Sequence, residues 1–264
     1  MRRPPAAVRV RRVTTTRAGG VSPAPYDGFN LGDHVGDDPA AVAANRTRLA
    51  ERIGVDEARL VWMEQIHSRN VAVVDESTFS SSDVEHVGPS IRVPATDALV
   101  TALPGVALAV LSADCVPVLL SDDVAGVIAG VHAGRVGARI GIVPAALRAM
   151  ITLGARPERI GAFLGPAAGG EHYEVPDSMQ RDVEEYLPGS ACRTAAGTAG
   201  LDLRAGIRRQ LLAMGVNAVA VDPRDTISDR VLFSHRRGAP TGRLASVIWM
   251  EPEPGPSGAE QAGR

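Results

Sequence analysis

The chain has 264 residues, 45% of them hydrophobic, with a formal net charge of −2. That length and apolar content support a sizeable core in one large domain or two small ones, and the near-neutral balance gives no global field for nucleic acid or an acidic membrane. Every fixed cation is Arg, since the sequence contains no Lys; this excludes Schiff-base, pyridoxal-phosphate and P-loop lysines and leaves anions to Arg, backbone N–H groups or metal.

The predicted elements follow in chain order. Val8–Thr16 alternates apolar or β-branched with basic residues and predicts a strand, closed by the glycine turn Arg17–Ser22. An irregular stretch through Tyr26–Gly32 follows. Asp38-Pro39 then reads as an N-cap with Pro at the first helical position. Its helix runs to about Ile53, with Val42, Leu49 and Ile53 inward and Arg46 near the middle. Leu60–Met63 and Val71–Val74 are short strands around Gln65–Ser68, and the Ser-rich segment Ser77–Pro94 is a surface loop. Thr96–Thr101 and Val106–Leu111 are apolar strands. Val116–Leu120, the Asp122-Asp123 turn and Val127–Val131 form a run–turn–run pattern, read as a strand pair. Ala133–Gly137 is a turn before a helix from about Ala138 to Leu153, with Pro144 near its start or at a kink. Then come a strand at Arg159–Leu164, a flexible Gly169-Gly170, helices at Pro176–Tyr186 and Leu201–Met214, and strands at Val216–Val221 and Leu244–Met250. With no repeat and no linker, residues 1–250 read as one α/β domain with mixed pairing, and the Pro, Gly and Glu-rich residues 251–264 as a disordered tail.

Three residues carry the chemistry. His67, Cys115 and His132 each lie beside a short β-type run and a turn, and the Cys115–His132 gap spans one hairpin. A thiolate with two neutral imidazoles suits zinc or copper and leaves a coordination position open. The plain alternative is a buried structural Cys and two unrelated His. Cys115 as nucleophile with His132 as base uses the same residues. Asp114 points away from Cys115 by strand alternation unless a bulge intervenes; it either orients an imidazole or caps a turn. The arginine-bearing turns Arg17–Gly20, Asn45-Arg46, His235–Arg237 and Thr241–Arg243 offer bidentate anion donors or plain solvated surface. Gly134–Gly137 precedes a helix but lacks the GK[ST] of a P-loop. A multicopper enzyme needs many histidines, and this chain has six, with no His-x-His pair.

With only Cys115 and Cys192, reduced thiols in a cytoplasmic setting are expected rather than a disulfide framework. Met1–Pro5 is basic without an apolar core behind it, so a secretory signal is not expected. Gly105–Leu120, the longest apolar region, is broken by Asp114 and Pro117, so no membrane span is expected.

At these residues the chain resembles the laccase-domain family, also called YfiH-like or polyphenol oxidase-like proteins and purine nucleoside phosphorylases. The matching segments include Thr16–Ser22, Phe29–Gly32, Asn45-Arg46, Gln65–Ser68, Thr96–Thr101, Ala113–Pro117, Val131–Gly134, Leu164–Ala167, Phe233–Arg237 and Thr241–Arg243, across about residues 10–250. The resemblance implies a four-layer αββα sandwich with mixed sheets and a zinc site on His67, Cys115 and His132. It also implies phosphorolysis of adenosine, inosine, guanosine and S-methyl-5′-thioadenosine, with adenosine deamination. The expected function is therefore a zinc-dependent purine nucleoside phosphorylase and deaminase, with purine nucleoside and phosphate as its partners. Arg46 is expected to hold phosphate, with Arg17 and the Gly134–Gly137 turn behind it, and Asp114 to assist. Three alternatives stand beside it: a metal-free Cys/His hydrolase acting on a peptidoglycan-type amide, a copper-dependent polyphenol oxidase, and a catalytically impaired binding protein. The last is motivated by a departure: the family's His-Ala-Gly-Trp-Arg-Gly is His132-Ala133-Gly134-Arg135-Val136-Gly137 here.

Overall fold

Alternation along the strands decides the layering. In β7 (Ala107–Ser112), Ala107, Ala109 and Leu111 enter one apolar cluster while Leu108 and Val110 enter another. In β8 (Val116–Asp122) and β9 (Val127–Ala133) the split is between Val116, Val118, Leu120, Val127, Ala129, Val131 and Ala133 on one side and Leu119 and Ile128 on the other. Strands with apolar residues on both faces must be covered on both, and this requires three cores in four layers.

The computed structural model describes residues 8–252. One six-stranded mixed sheet has the order β1 (Val8–Thr14), β14 (Leu244–Pro252), β7, β2 (Leu60–Met63), β5 (Ser90–Val93), β4 (Glu85–Val87). The second has the order β13 (Ala218–Val221), β10 (Gly161–Leu164), β8, β9, β6 (Ala98–Thr101), β3 (Val71–Val74). Between them lies a core of Val61, Leu108, Val110 and Ile248 against Leu99, Leu119 and Ile128. Helix α1 (Pro39–Ile53) covers the outer face of the first sheet through Leu49 and Ala50, which meet Leu60 and Trp62. Helices α3 (Ile142–Thr152), α4 (Asp177–Tyr186) and α5 (Leu203–Ala213) cover the second, through Ile142, Leu147, Val183 and Ile207. The fold is thus a single-domain αββα sandwich. Among the described residues no helix is long and apolar enough to cross a membrane, and Cys115 and Cys192 are both free.

Most element boundaries match the sequence expectation within a few residues. Helix α1 starts as expected, with the Asp38 carboxylate accepting from Ala40 N at 2.9 Å. Three expectations need correction. Ser77–Pro94 is not all loop: it contains a short 3-10 turn and the β4–β5 hairpin, which extends the first sheet at β2. The single helix expected at 138–153 is two, α2 (Arg135–Arg139) and α3, because Gly141 takes φ +90° between them. The small two-stranded sheet of β11 (Ala191–Arg193) and β12 (Ala199–Leu201) was not foreseen, since its short Ala/Gly/Thr segments carry no apolar alternation. Strand β14 runs on to Pro252, pairing Glu251 with Arg9, so the first two residues of the expected tail belong to the sheet; the rest of that tail lies outside the described residues.

Leu119 is fully buried between the sheets. Leu119→Ala should cost about 2–5 kcal/mol of unfolding free energy, measured by urea denaturation, while leaving the ligand cluster described below in place.

Candidate metal centre

The two sheets are stitched together at one end. The chain passes from the first to the second sheet between β2 and β3, between β5 and β6, and between β7 and β8. Since β2 runs parallel to both β5 and β7, these crossings leave from the same edge. Each short crossing turns so sharply that a non-glycine residue takes positive φ: His67 (61°), Ala95 (44°) and Asp114 (95°). Left-handed backbone costs an L-residue roughly 1 kcal/mol or more, and such positions cluster at functional sites. Asp114, at the third crossing, delivers Cys115 at the start of β8. The β8–β9 register sets Pro117 opposite His132, so the hairpin returns the imidazole beside the thiol. His132 falls on the inter-sheet face of β9, in step with Ile128.

Cys115 Sγ lies 3.8 Å from His67 Nε2. The rings of His67 and His132 meet edge to face, centroids 4.8 Å apart. One donor atom from each of the three residues lies within 4.8 Å of the others. Donors around one tetrahedral ion, at metal–sulfur and metal–nitrogen distances near 2.3 and 2.1 Å, sit about 3.5 Å apart. The cluster is therefore close to chelating size, and its thiolate–imidazole chemistry fits a single thiophilic ion. His132 is buried, Cys115 half-buried and His67 exposed, which leaves one side open to a ligand.

One residue organises all of this. The Asp97 side chain is fully buried. Its Oδ1 accepts from His132 Nδ1 at 2.8 Å and from His67 N at 3.0 Å, and its Oδ2 from Ser68 N at 2.7 Å and Ser68 Oγ at 2.8 Å. The Nδ1 bond turns His132 Nε2 toward the cluster, the role that carboxylates play behind metal-bound histidines. Gly134 is equally constrained: a Cβ there would sit 2.7 Å from His67 Cδ2 and 2.9 Å from Cys115 Sγ.

Burial alone would push the Cys115 thiol up; the charge of His132 and hydrogen bonds with His132 and His67 outweigh it and bring it down to about 6. Burial would likewise pull the His132 imidazolium down, but the Cys115 thiolate and the Asp97 hydrogen bond raise it to about 9. Burial of Asp97 would raise its carboxyl, yet the bonds from His132 and Ser68 hold it below the usual range. Between those values the metal-free pair is thiolate and imidazolium. An arriving ion must then displace a proton.

The cluster opens into a cavity of about 410 Å³. His67, Cys115, His132 and Asp114 line it. Arg46 and Arg17 do not. The Arg46 guanidinium is buried and donates to Leu31 O at 3.0 and 2.9 Å, pairs with Asp33 at 3.3 Å and stacks on Trp62. Arg17 donates to Asp27 Oδ2 at 2.8 Å and to Asp27 O at 2.9 Å, and lies over the ring of Phe233. Both brace the loop between β1 and α1, and neither lines this cavity, where phosphate was expected to meet them. Asp114 does not orient an imidazole either: it accepts from Thr226 Oγ1 and from Arg236 N, both at 2.6 Å, and so anchors the segment 222–243 over the cavity. The orienting carboxylate is instead Asp97, whose only signal in the sequence is an acidic residue at the head of an apolar strand. The Gly134–Gly137 segment is the first turn of α2, and Arg135 lines the cavity. Gly169, expected to be flexible, is tied by its N–H to Asp225 Oδ1 at 2.9 Å.

Asp97→Asn should weaken metal affinity by about 10–100-fold, read by competition with a chromophoric chelator. In the wild type the same titration should show affinity rising with pH between 6 and 9, the pH values near which Cys115 and His132 titrate, by about tenfold per unit, because binding releases one proton in that window.

The model of a family described as multi-copper polyphenol oxidoreductase laccase matches residues 11–251. A Mycobacterium tuberculosis protein named purine nucleoside phosphorylase is 58% identical over 245 residues, 93% of this chain and 94% of its own. Among solved structures, YlmD from Geobacillus stearothermophilus aligns with a TM-score of 0.81 at 33% identity over 92% of both chains. The YfiH protein of Bacillus licheniformis, named as hypothetical, aligns at 0.80 and 30% over 91% of this chain and 92% of its own. These findings correct the expected activity. The family description is that of a laccase, the solved relatives carry no nucleoside activity in their names, and the thiolate–bis-imidazole cluster is of a type that copper takes; phosphorolysis is named for the mycobacterial protein and zinc is not singled out. Nor do the described residues supply the several copper sites of that description, since they form one three-donor cluster. With a family model spanning nearly all of its length, the chain belongs to the laccase-domain, YfiH-like family.

Proposed function

We propose that this chain is a metal-dependent enzyme that works with one ion held by His67, Cys115 and His132, and that in its copper form it oxidises small phenols. The observation that carries the reading is the convergence of one thiolate and two imidazoles within 4.8 Å at the wall of an open cavity. A His₂Cys set is the ligand set of mononuclear copper redox sites, and the family description points the same way.

When bound, copper would supply one-electron redox chemistry, with dioxygen as the terminal oxidant. The chain's own residues do the rest. Cys115 offers its thiolate at neutral pH because His132 and His67 stabilise it. Asp97 accepts the Nδ1 proton of His132 and so keeps Nε2 facing the cluster. Gly134 keeps the space between His67 and Cys115 clear. The cavity wall of Leu111, Leu203 and Tyr173 gives an aromatic substrate apolar surface beside these donors. In this reading the substrate is a small molecule that enters the cavity beside the cluster.

A second reading is favoured by the same ion pair. A thiolate brought to about 6 beside an imidazolium is also an activated nucleophile, which would make the metal-free chain a Cys/His hydrolase of an amide.

Protein purified without added metal, assayed for bound ions and then titrated with Cu(II), should bind one equivalent and consume dioxygen with a phenol present. Cys115→Ser should reduce that rate by about 100-fold or more, as for removal of a ligand that acts in the transition state. Stoichiometric copper without phenol oxidation, or metal-dependent turnover of nucleosides instead, overturns the copper reading. Covalent trapping of Cys115 by an amide substrate in metal-free protein selects the hydrolase.

A further inference from the structure

A second carboxylate–imidazole pair stands outside the ligand cluster and repeats the geometry of Asp97 and His132. Asp225 Oδ2 accepts from His172 Nδ1 at 2.5 Å, and its Oδ1 accepts from Gly169 N and Ile227 N, both at 2.9 Å. The Asp225 side chain is 15% exposed and that of His172 42%. Burial would raise this carboxyl, but the bonds from Gly169, Ile227 and His172 hold it below the usual range. Neither residue lines the cavity, and neither belongs to the three-donor cluster.

What the pair joins gives it a role. Residues 165–176 and 222–243 are irregular segments, and backbone without a ladder of hydrogen bonds opens more readily than the sheets it borders. In the first segment, His172 N and Tyr173 N donate to Gly169 O at 3.0 and 2.9 Å and close a turn. Asp225, from the second segment, grips that turn at Gly169 N and at the His172 side chain. The seat is close: a Cβ on Gly169 would meet Asp225 Cγ at 2.8 Å. The next residue, Thr226, donates its N–H to Ala167 O at 3.1 Å and its hydroxyl to Asp114 Oδ1 at 2.6 Å. Asp114 thus ties the two segments beside the cluster, and Asp225 ties them outside the cavity. Tyr173, the last residue of the turn, lines the cavity, and the Arg236 guanidinium of the second segment stacks on its ring at 4.8 Å. This part of the cavity wall is one residue of each irregular segment laid on the other.

We propose that His172 and Asp225 are positioning residues for this site: by clamping the Tyr173 turn onto the 222–243 segment they hold the Tyr173–Arg236 wall in place, and so limit the size of molecule that reaches His67, Cys115 and His132. This rests on the cavity being the way in to the cluster, as the proposed function requires, and not on which reaction follows there. With the clamp closed, a small molecule passes the wall and a bulky one waits for the wall to move out. Removing the imidazole leaves Asp225 with its backbone donors alone, so the turn stays folded and detaches more often. A contact that only added stability would, on removal, lower the melting temperature without separating small molecules from large.

Cys115, on the cavity wall, is the reporter. Full-length protein, with chelator present to free the thiol, is treated with iodoacetamide, which is small, or N-(1-pyrenyl)maleimide, which is bulky. Peptide mass spectrometry follows Cys115 separately from Cys192. The wild type should disfavour the bulky reagent relative to free cysteine. His172→Ala should leave the iodoacetamide rate unchanged and raise the pyrenylmaleimide rate about tenfold, because losing one charge-assisted hydrogen bond raises the open population by about that factor. Gly169→Ala, which pushes the turn off Asp225, should do the same. His172→Asn, whose amide N–H stands where Nδ1–H does, should restore the wild-type ratio. Hydrogen exchange should quicken in His172→Ala over residues 167–175 and 224–237 and stay unchanged in β8 and β9. Thermal unfolding verifies that each variant folds. A wild type that treats both reagents as free cysteine does, or a ratio unchanged in folded His172→Ala and Gly169→Ala, overturns the proposal. So does faster exchange at a fixed ratio, which reduces the pair to a stabilising contact. Failure of copper binding or of phenol oxidation leaves these rates readable, so the two readings fail separately.

Discussion

The site depends on one buried carboxylate. Asp97 accepts hydrogen bonds from the imidazole of His132, from the backbone of His67 and from both the backbone and the hydroxyl of Ser68. It sits at the crossing that leads into β6, and it binds the β2–β3 crossing to the end of β9. Two of the three candidate ligands are thus positioned by a single side chain. A charged group with no water contact must have several donors to be tolerated, and here those donors are the parts of the site that need aligning. Stability and positioning are the same interaction.

The electrostatics follow from that placement. Asp97 supports a protonated His132, His132 supports a Cys115 thiolate, and His67 completes the set from the exposed side. The result is a reactive thiolate in a pocket whose more distant wall is cationic. Positive charge near a thiolate would ordinarily be read as part of its activation, but His132 already fills that role at contact. Burial lowers the Arg243 guanidinium pKa, and the charges of Cys115 and Asp114 act against that.

In a chain without lysine, arginine has to meet every structural need for a cation as well as any chemical one. Arg46 and Arg237 satisfy backbone carbonyls in irregular loops, and Arg159 neutralises the buried Asp122. Arg46 lies within α1, while Arg159 and Arg237 occupy polar turns that look no different in sequence from the turns of Arg236 and Arg243. What separates the two kinds is whether the guanidinium finds its acceptors inside the protein or faces the cavity, and that depends on contacts between residues far apart in the chain.

Local pattern was enough for most of the elements. The Asp38-Pro39 start of α1, the β8–β9 hairpin and the apolar strands follow from capping chemistry and alternation over a few residues, and the hairpin alone brings Cys115 and His132 together. The pairing of both with His67 was legible as a possibility, because thiol and imidazole side chains beside strand ends are few in this chain. Tertiary structure decided the remainder. The left-handed turns at His67 and Asp114, the role of Asp97 and the difference between bracing and cavity-facing arginines all arise where the two sheets are joined. A sequence lists which groups are available; which of them are left unsatisfied, and so free to act on something else, is settled only when the layers pack and each donor meets or misses its acceptor.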